Sequence, residues 1–200
     1  MKLLLATNNP AKVREYLALL GDLPLKLTTL AEQGIALELE ETGRTLEENA
    51  TLKAKTYAQI SGLLTLADDS GLEVEALGGA PGPLSRRFAG EGASDRERID
   101  LLLSRLAGIP WERRKARFLC VIAIARPQGE IELCRGQCAG IIALEPKGEF
   151  GFGYDPIFYL PETDLTMAQL PLEEKNQVSH RARAARRARP ILEGLGRRGE

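Results

Sequence analysis

Leu63-Leu64-Thr65-Leu66-Ala67-Asp68-Asp69-Ser70-Gly71 is the stretch from which the rest of the chain is read. Leu63 to Ala67 is a short apolar run and predicts a buried β-strand. Two adjacent carboxylates, Asp68 and Asp69, close it, and Ser70-Gly71 predicts a turn. Acids on a turn at the C-terminal end of such a strand stand where open α/β sheets place their chemistry. An acidic pair at a strand end is also a common solvated turn, so the surrounding chain has to decide. Downstream, Gly78-Gly79-Ala80-Pro81-Gly82-Pro83 is too rich in Gly and Pro for a regular element. It predicts a shaped loop that delivers Ser85, Arg86 and Arg87 to a fixed place.

Composition bounds the possibilities. Two hundred residues, 44% hydrophobic and 28% charged, are enough for one large domain or two small lobes with a proper core. A formal net charge of −1 argues against a protein that coats nucleic acid. No apolar run approaches the roughly 18 residues of a membrane span, and Met1-Lys2-Leu3-Leu4-Leu5-Ala6-Thr7 is too short an apolar start for a signal peptide. Three cysteines give no disulfide framework and point to a reducing cytoplasm. Cys134 and Cys138 lack a second Cys or His pair for a zinc site, so the cysteines read as core residues.

Outward from the acidic pair, Lys2 to Ala6 predicts a strand. Asn9 followed by Pro10 predicts an N-cap and first helical residue for a helix to Leu20, with Val13, Leu17 and Leu20 on its apolar face. Strand, polar loop and helix start would aim backbone N–H groups at an anion, with Lys12 in the first turn. Thr45 and Glu48 are spaced as a capping box for a helix that Gly62 closes. In that helix Asn49 and Lys53 stand one turn apart on one face, an arrangement suited to phosphate or, for this helix taken alone, to a solvated face. Ser94 and Glu97 predict a third helix from Asp95 to about Ala107, packing through Ile99, Leu102, Leu103 and Leu106. Lys115 to Ala125 predicts a central strand, and Glu130 to Cys134 its hairpin partner, so the sheet is mixed α/β rather than purely parallel.

Phe150-Gly151-Phe152-Gly153-Tyr154-Asp155-Pro156 concentrates aromatics in a chain only 5% aromatic, as an open loop offering rings to a flat ligand would. The last helix follows Ser179, carries the single histidine, His180, and an Arg-rich run from Arg181 to Arg189. Pro190 predicts a kink or break in it.

Five ordered segments carry a resemblance that spans nearly the whole chain. They are Thr7-Asn8-Asn9-Pro10-Ala11-Lys12; Glu41-Thr42-Gly43 with Glu48-Asn49-Ala50 and Lys53-Ala54; Ala67 to Leu72 through Gly82; Phe152-Gly153-Tyr154-Asp155-Pro156; and Ser179-His180-Arg181. With them the chain resembles the inosine/xanthosine triphosphate pyrophosphatases. Asn8, Leu46, Pro83-Leu84 and Arg86 depart from the commonest pattern.

The resemblance implies that residues 1–200 form one domain, an elongated mixed sheet flanked by helices, with two lobes around a central cleft, and that the protein is a homodimer. It implies hydrolysis of ITP, dITP and XTP to the monophosphate and pyrophosphate, cleansing the nucleotide pool. Glu41 and Asp69 would hold Mg²⁺, or Mn²⁺ in its place, as hard oxygen ligands. Asp69, supported by Asp68, would take the proton from the attacking water. Lys12, Lys53 and the Thr7 to Lys12 helix start would hold phosphates, with Ser70 nearby. Phe152, Gly153, Tyr154 and Asp155 would form the purine loop, and Lys175, His180 and Arg181 would donate to the base edge. The rival enzymatic reading is a pyrophosphatase for pyrimidine or modified-base triphosphates. A nucleic-acid module stacking bases on Phe152 and Tyr154 is disfavoured by the charge balance and the internal carboxylates.

Overall fold

Residues 1–197 are described by a computed structural model. Strand β1 (Lys2–Leu5) leads through the Asn9 cap into helix α1 (Pro10–Leu20), and β2 (Lys26–Thr29) returns parallel to β1. Helix α2 (Leu46–Ser61) leads to β3 (Leu64–Val74), which lies parallel to β1 on its other side. A two-residue strand, β4 (Pro81–Gly82), folds back antiparallel on β3, and α3 (Asp95–Arg105) follows. Strands β5 (Lys115–Ala125) and β6 (Ile131–Ile142) form the expected hairpin. Its antiparallel sense is set by Arg126 N–H to Glu130 O at one end and Ile142 N–H to Arg114 O at the other. Short strands β7 (Phe158–Leu160) and β8 (Leu165–Thr166) and helices α4 (Leu172–Val178) and α5 (His180–Arg197) complete the order. The strands make one open mixed sheet in the order β2-β1-β3-β5-β6-β7-β8, with β4 on β3.

The chain divides into two compact units, to both of which β3, β5 and β6 contribute residues. The first comprises Met1–Asp69, Cys120–Gly136 and the chain from Arg181 onward. Its core packs Tyr16 and Leu20 of α1 and Ala184, Ala188 and Leu192 of α5 against Leu3, Leu5, Leu64, Leu66, Ile122 and Ile124 of the sheet. The second comprises Ser70–Leu119 and Gln137–His180. It packs Ile99 and Leu102 of α3, and Leu106 just beyond it, against Leu72, Val74, Phe118, Phe158 and Met167. The three cysteines are all buried, as expected. Among the described residues, no helix is long and apolar enough to cross a membrane.

Four local expectations are corrected. The acidic pair does not close its strand, because β3 continues through Asp68, Asp69, Ser70 and Gly71 to Val74. The buried face of α1 is Glu15, Tyr16 and Leu20, while Leu17 is 48% exposed. An acid inside that stripe disguised it. Pro190 does not end α5; burial of Ala184, Ala185, Ala188 and Leu192 on either side of it outweighs the roughly 3 kcal/mol that an interior proline costs. The Thr45 hydroxyl does cap α2 at Glu48 N–H, but the Glu48 carboxylate accepts from Arg44 N–H instead of closing the box.

The Gly/Pro-rich stretch is shaped by Ser85 rather than delivering it. The buried Ser85 Oγ accepts Leu72 N–H at 2.8 Å and donates to Gly82 O at 2.6 Å, stapling the loop to β3. Arg86 is exposed and Arg87 pairs with Glu91 at 3.7 Å. Ser85→Ala is expected to lower unfolding free energy by about 1–3 kcal/mol, the cost of stranding a buried donor. Urea denaturation checks this, and an unchanged midpoint would contradict it.

Candidate active site

Successive side chains of a strand point to opposite faces, so Asp68 and Asp69, although neighbours in the chain, occupy different surroundings. Asp68 points with Leu64 and Leu66 toward α1 and α5. There Lys12 Nζ donates to its Oδ1 at 3.0 Å, and Arg181 Nε and Nη2 reach Oδ2 at 3.3 Å each. Cys120 Sγ lies 3.8 Å from the same oxygen. Burial alone would raise the Asp68 carboxyl; Lys12, then Arg181 and Lys53, overcome it and hold the group far below the usual carboxylate range. Lys12 and Arg181 thus favour the ionised form of Asp68.

Asp69 points the other way, toward α2. Asn49 Nδ2 donates to its Oδ2 at 3.0 Å, and Lys53 Nζ lies 3.9 Å from Oδ1. Here burial wins, and the nearby Glu41 carboxylate adds to it, so the Asp69 carboxyl is raised despite the Lys53 charge. A buried carboxylate with a raised pKa is suited to accepting a proton. Lys53 also donates to Glu41 Oε1 at 2.5 Å and to the Asp68 carbonyl at 2.7 Å. Burial pushes the Lys53 ammonium down, but Asp69, Glu41 and Asp68 together raise it, so it stays charged.

The helix start that the sequence offers to an anion is partly used by its own cap. Asn9 Oδ1 accepts Ala11 and Lys12 N–H at 2.9 and 3.3 Å, and Thr7 Oγ1 accepts Asn9 N–H at 3.2 Å. The exposed residues at this turn are Asn8 and Pro10. Lys12 turns back onto Asp68 and is partly buried. Ser70 follows the acids on β3, half-buried, as the first residue of the second unit.

The aromatic loop lies in the second unit. Asp155 Oδ2 accepts Phe152 N–H at 2.9 Å and Lys175 Nζ at 2.6 Å, and the Lys175 ammonium lies 4.9 Å from the Phe152 ring centroid. Gly151 has to be glycine, since a Cβ there would stand 2.1 Å from Asp155 Oδ2 and its φ is +77°. Asp95, at the start of α3, accepts Gly153 N–H at 2.7 Å and fixes the loop's other side. Phe152 remains half-exposed. Tyr154 does not offer its ring: it is 4% exposed in the core and its hydroxyl donates to Ser85 O at 2.9 Å. His180 is buried and stacks on Phe118 with centroids 4.6 Å apart and planes 16° apart.

Arg181 stands apart from Lys175 and His180 in its bonding. It belongs to the first unit and is 1% exposed, with Nη1 on Glu15 Oε2 at 2.6 Å and its other nitrogens on Asp68. Burial would lower its pKa, but Asp68 and then Glu15 raise it. Sequence reasoning missed Glu15 in this role, although an acid directly before Tyr16 in an apolar stripe is its signal. It also missed Cys120 and Asp95, which carry no local signal.

A scan against protein-family models matches the Ham1 family over residues 3–191. The chain belongs to the Ham1 family. It is 51% identical over 195 residues to the dITP/XTP pyrophosphatase of Desulforamulus reducens, covering 98% of this chain and 97% of that one. It is 46% identical over 190 residues to the dITP/XTP pyrophosphatase of Bacillus subtilis, covering 95% and 96%. The solved HAM1 protein of Coxiella burnetii superposes with a TM-score of 0.88 at 42% identity, over 97% of this chain and 99% of that one. The mixed α/β sheet is thus the Ham1 fold.

Among the described residues no group of three or more His, Cys, Asp or Glu side chains could hold a metal ion. The Ham1 chain does hold Glu41 and Asp69 around one ammonium, at 2.5 and 3.9 Å from Lys53 Nζ. Two hard carboxylates, one of them raised by burial and by the charge of the other, fit a cation that takes its remaining ligands from water and phosphate.

Arg181→Met is expected to destabilise the fold by about 3–5 kcal/mol, because it strands Glu15 and Asp68 in the interior. The Asp68 pKa is depressed on folding, so its stabilisation is present above the unfolded value of about 3.9 and is lost as pH falls below it. The penalty of the variant should therefore shrink on acidification. Denaturant titrations across pH check this, and a penalty that is small and independent of pH would contradict it.

Proposed function

We propose that this chain hydrolyses non-canonical purine nucleoside triphosphates (ITP, dITP and XTP) to the monophosphate and pyrophosphate, and so cleanses the nucleotide pool before misincorporation. The observation that carries the reading is the split in the acidic pair: Asp68 is held ionised by Lys12 and Arg181, and Asp69 is raised beside Asn49 and Lys53. The names of the relatives supply the substrate class.

In the reaction, water oxygen attacks the α-phosphorus, the bond from that phosphorus to the α–β bridging oxygen breaks, and pyrophosphate leaves. Asp69 takes the water proton at Oδ1, the oxygen turned toward Lys53, while Asn49 holds Oδ2. Lys53 and Lys12, both ammonium groups at the carboxylates, supply positive charge for a substrate that carries several negative ones. Glu41 and Asp69 would hold Mg²⁺ or Mn²⁺, which when bound neutralises phosphate charge and lowers the pKa of water. Asp68 keeps Lys12 and Arg181 in place and does not exchange protons.

Base recognition is assigned to the second unit. Phe152 offers its half-exposed ring, and Lys175 and His180 would provide N–H donors. Purines with an oxygen at position 6 accept from such donors, whereas the adenine amino group leaves them unpaired. On the family resemblance, the enzyme works as a homodimer in the cytoplasm.

A panel of triphosphates with pyrophosphate detection tests this reading. ITP, dITP and XTP are expected to exceed ATP and GTP in kcat/KM by about a hundredfold or more. Equal efficiency on ITP and ATP would overturn the base assignment, and a preference for a pyrimidine triphosphate would move the chain to another substrate class. Asp69→Asn should lose at least about a hundredfold in turnover with the fold intact. Excess chelator should abolish the reaction, and full activity in its presence would rule out the metal.

A further inference from the structure

We propose that Asn49 is a positioning residue that sets the spacing of the two reactive carboxylates, by clasping the Glu41-Thr42-Gly43 segment to the strand that carries Asp69. The inference rests on the functional reading above and assigns it a component outside the acids and lysines.

Asn49 is the first buried polar side chain of α2, 1% exposed, and both ends of its amide are engaged. Oδ1 accepts Gly43 N–H at 2.8 Å, and Nδ2 donates to Asp69 Oδ2 at 3.0 Å. The orientation of the amide is forced, since a backbone N–H can only donate and an ionised carboxylate can only accept. Gly43 lies two residues from Glu41, so one rigid, four-atom amide links the loop that holds one carboxylate to the strand that holds the other.

Gly43 makes the clasp close. A Cβ at this position would stand 2.6 Å from Asn49 Oδ1, 2.7 Å from Glu48 Cβ and 3.0 Å from Asn49 N. The requirement is for space. Neighbouring bonds hold the same loop on the helix start: Arg44 N–H donates to Glu48 Oε2 at 2.6 Å, and Thr45 caps Glu48 N–H. Lys53, one turn along α2 from Asn49, then meets both carboxylates, at 2.5 Å for Glu41 and 3.9 Å for Asp69. The helix therefore carries a neutral spacer and a cation on one face. The cation alone draws the carboxylates together, and the spacer decides how far apart they stop.

The test uses the full chain with Asn49→Ala, Gly43→Ala and the double variant. Gly43 is in a half-exposed loop, so its variant keeps the fold even if Asn49→Ala does not. Three quantities are read: Mn²⁺ binding without nucleotide, by the spectroscopic signal of the free ion; kcat and KM on ITP; and amide exchange at Gly43. Each single variant is expected to weaken Mn²⁺ binding and lower kcat by about 10–100-fold, the scale for residues that orient metal ligands, with KM changed far less. Because both break the bond between Gly43 N–H and Asn49 Oδ1, the loss in the double variant should fall short of the product of the two single losses. Asn49→Ala should also speed exchange of the Gly43 amide. Mn²⁺ affinity and kcat within about twofold of the unmutated protein, or losses that multiply in the double variant, would overturn the clasp. Failure of the unmutated protein to release pyrophosphate from ITP would instead overturn the functional reading.

Discussion

The structure depends on keeping Asp68 ionised inside a folded core. A carboxylate buried in the middle of a strand is costly to desolvate and is tolerated only with charged partners of good geometry. Lys12 and Arg181 are those partners, brought by the first and last helices of the chain to one face of β3. Glu15 then balances Arg181, and Tyr16 and Cys120 close the surroundings. The ends of the sequence are thus tied to its middle by electrostatics as well as by the apolar packing of α1 and α5. The arrangement is weak evidence for stability in itself, but losing any one partner would leave charges stranded.

The same constraint separates the two acids in their surroundings. Strand geometry alone sends neighbours to opposite faces, so a chemical distinction follows from one residue of offset. On one face the cations outweigh burial, and on the other burial and Glu41 outweigh Lys53. A pair of titratable groups pushed in opposite directions is the pattern by which acid and base roles are assigned.

The elements with their own local signal were legible in the sequence. Asn9-Pro10 and Ser94 with Glu97 mark helix starts by side-chain chemistry, and Gly62 marks a helix end by its left-handed backbone; each acts within a few residues, and the structure has those ends in place. The long apolar run from Lys115 announced a central strand for the same reason. What escaped was decided by partners distant in sequence. A strand was expected to stop at Asp68-Asp69 because nothing local pays for burying acids; Arg181, 113 residues away, does so. The apolar face of α1 was misplaced because Glu15 looks like a surface residue until Arg181 meets it. Tyr154 looks like an offered ring in the sequence, which does not show its bond to the Ser85 carbonyl. The spacing of Asn49 from Lys53 suggests a phosphate or a solvated face, because nothing local announces its bonds to Gly43 and Asp69.

The most direct measurement is a side-chain carboxyl ¹³C titration of the metal-free protein from about pH 4 to 8, with Asp68→Asn and Asp69→Asn supplying the assignments. Asp68 should stay ionised throughout, and Asp69 should titrate with a midpoint above the ordinary aspartate value of about 3.9. Two carboxyls titrating together at the ordinary value would contradict the division of roles on which the mechanism rests.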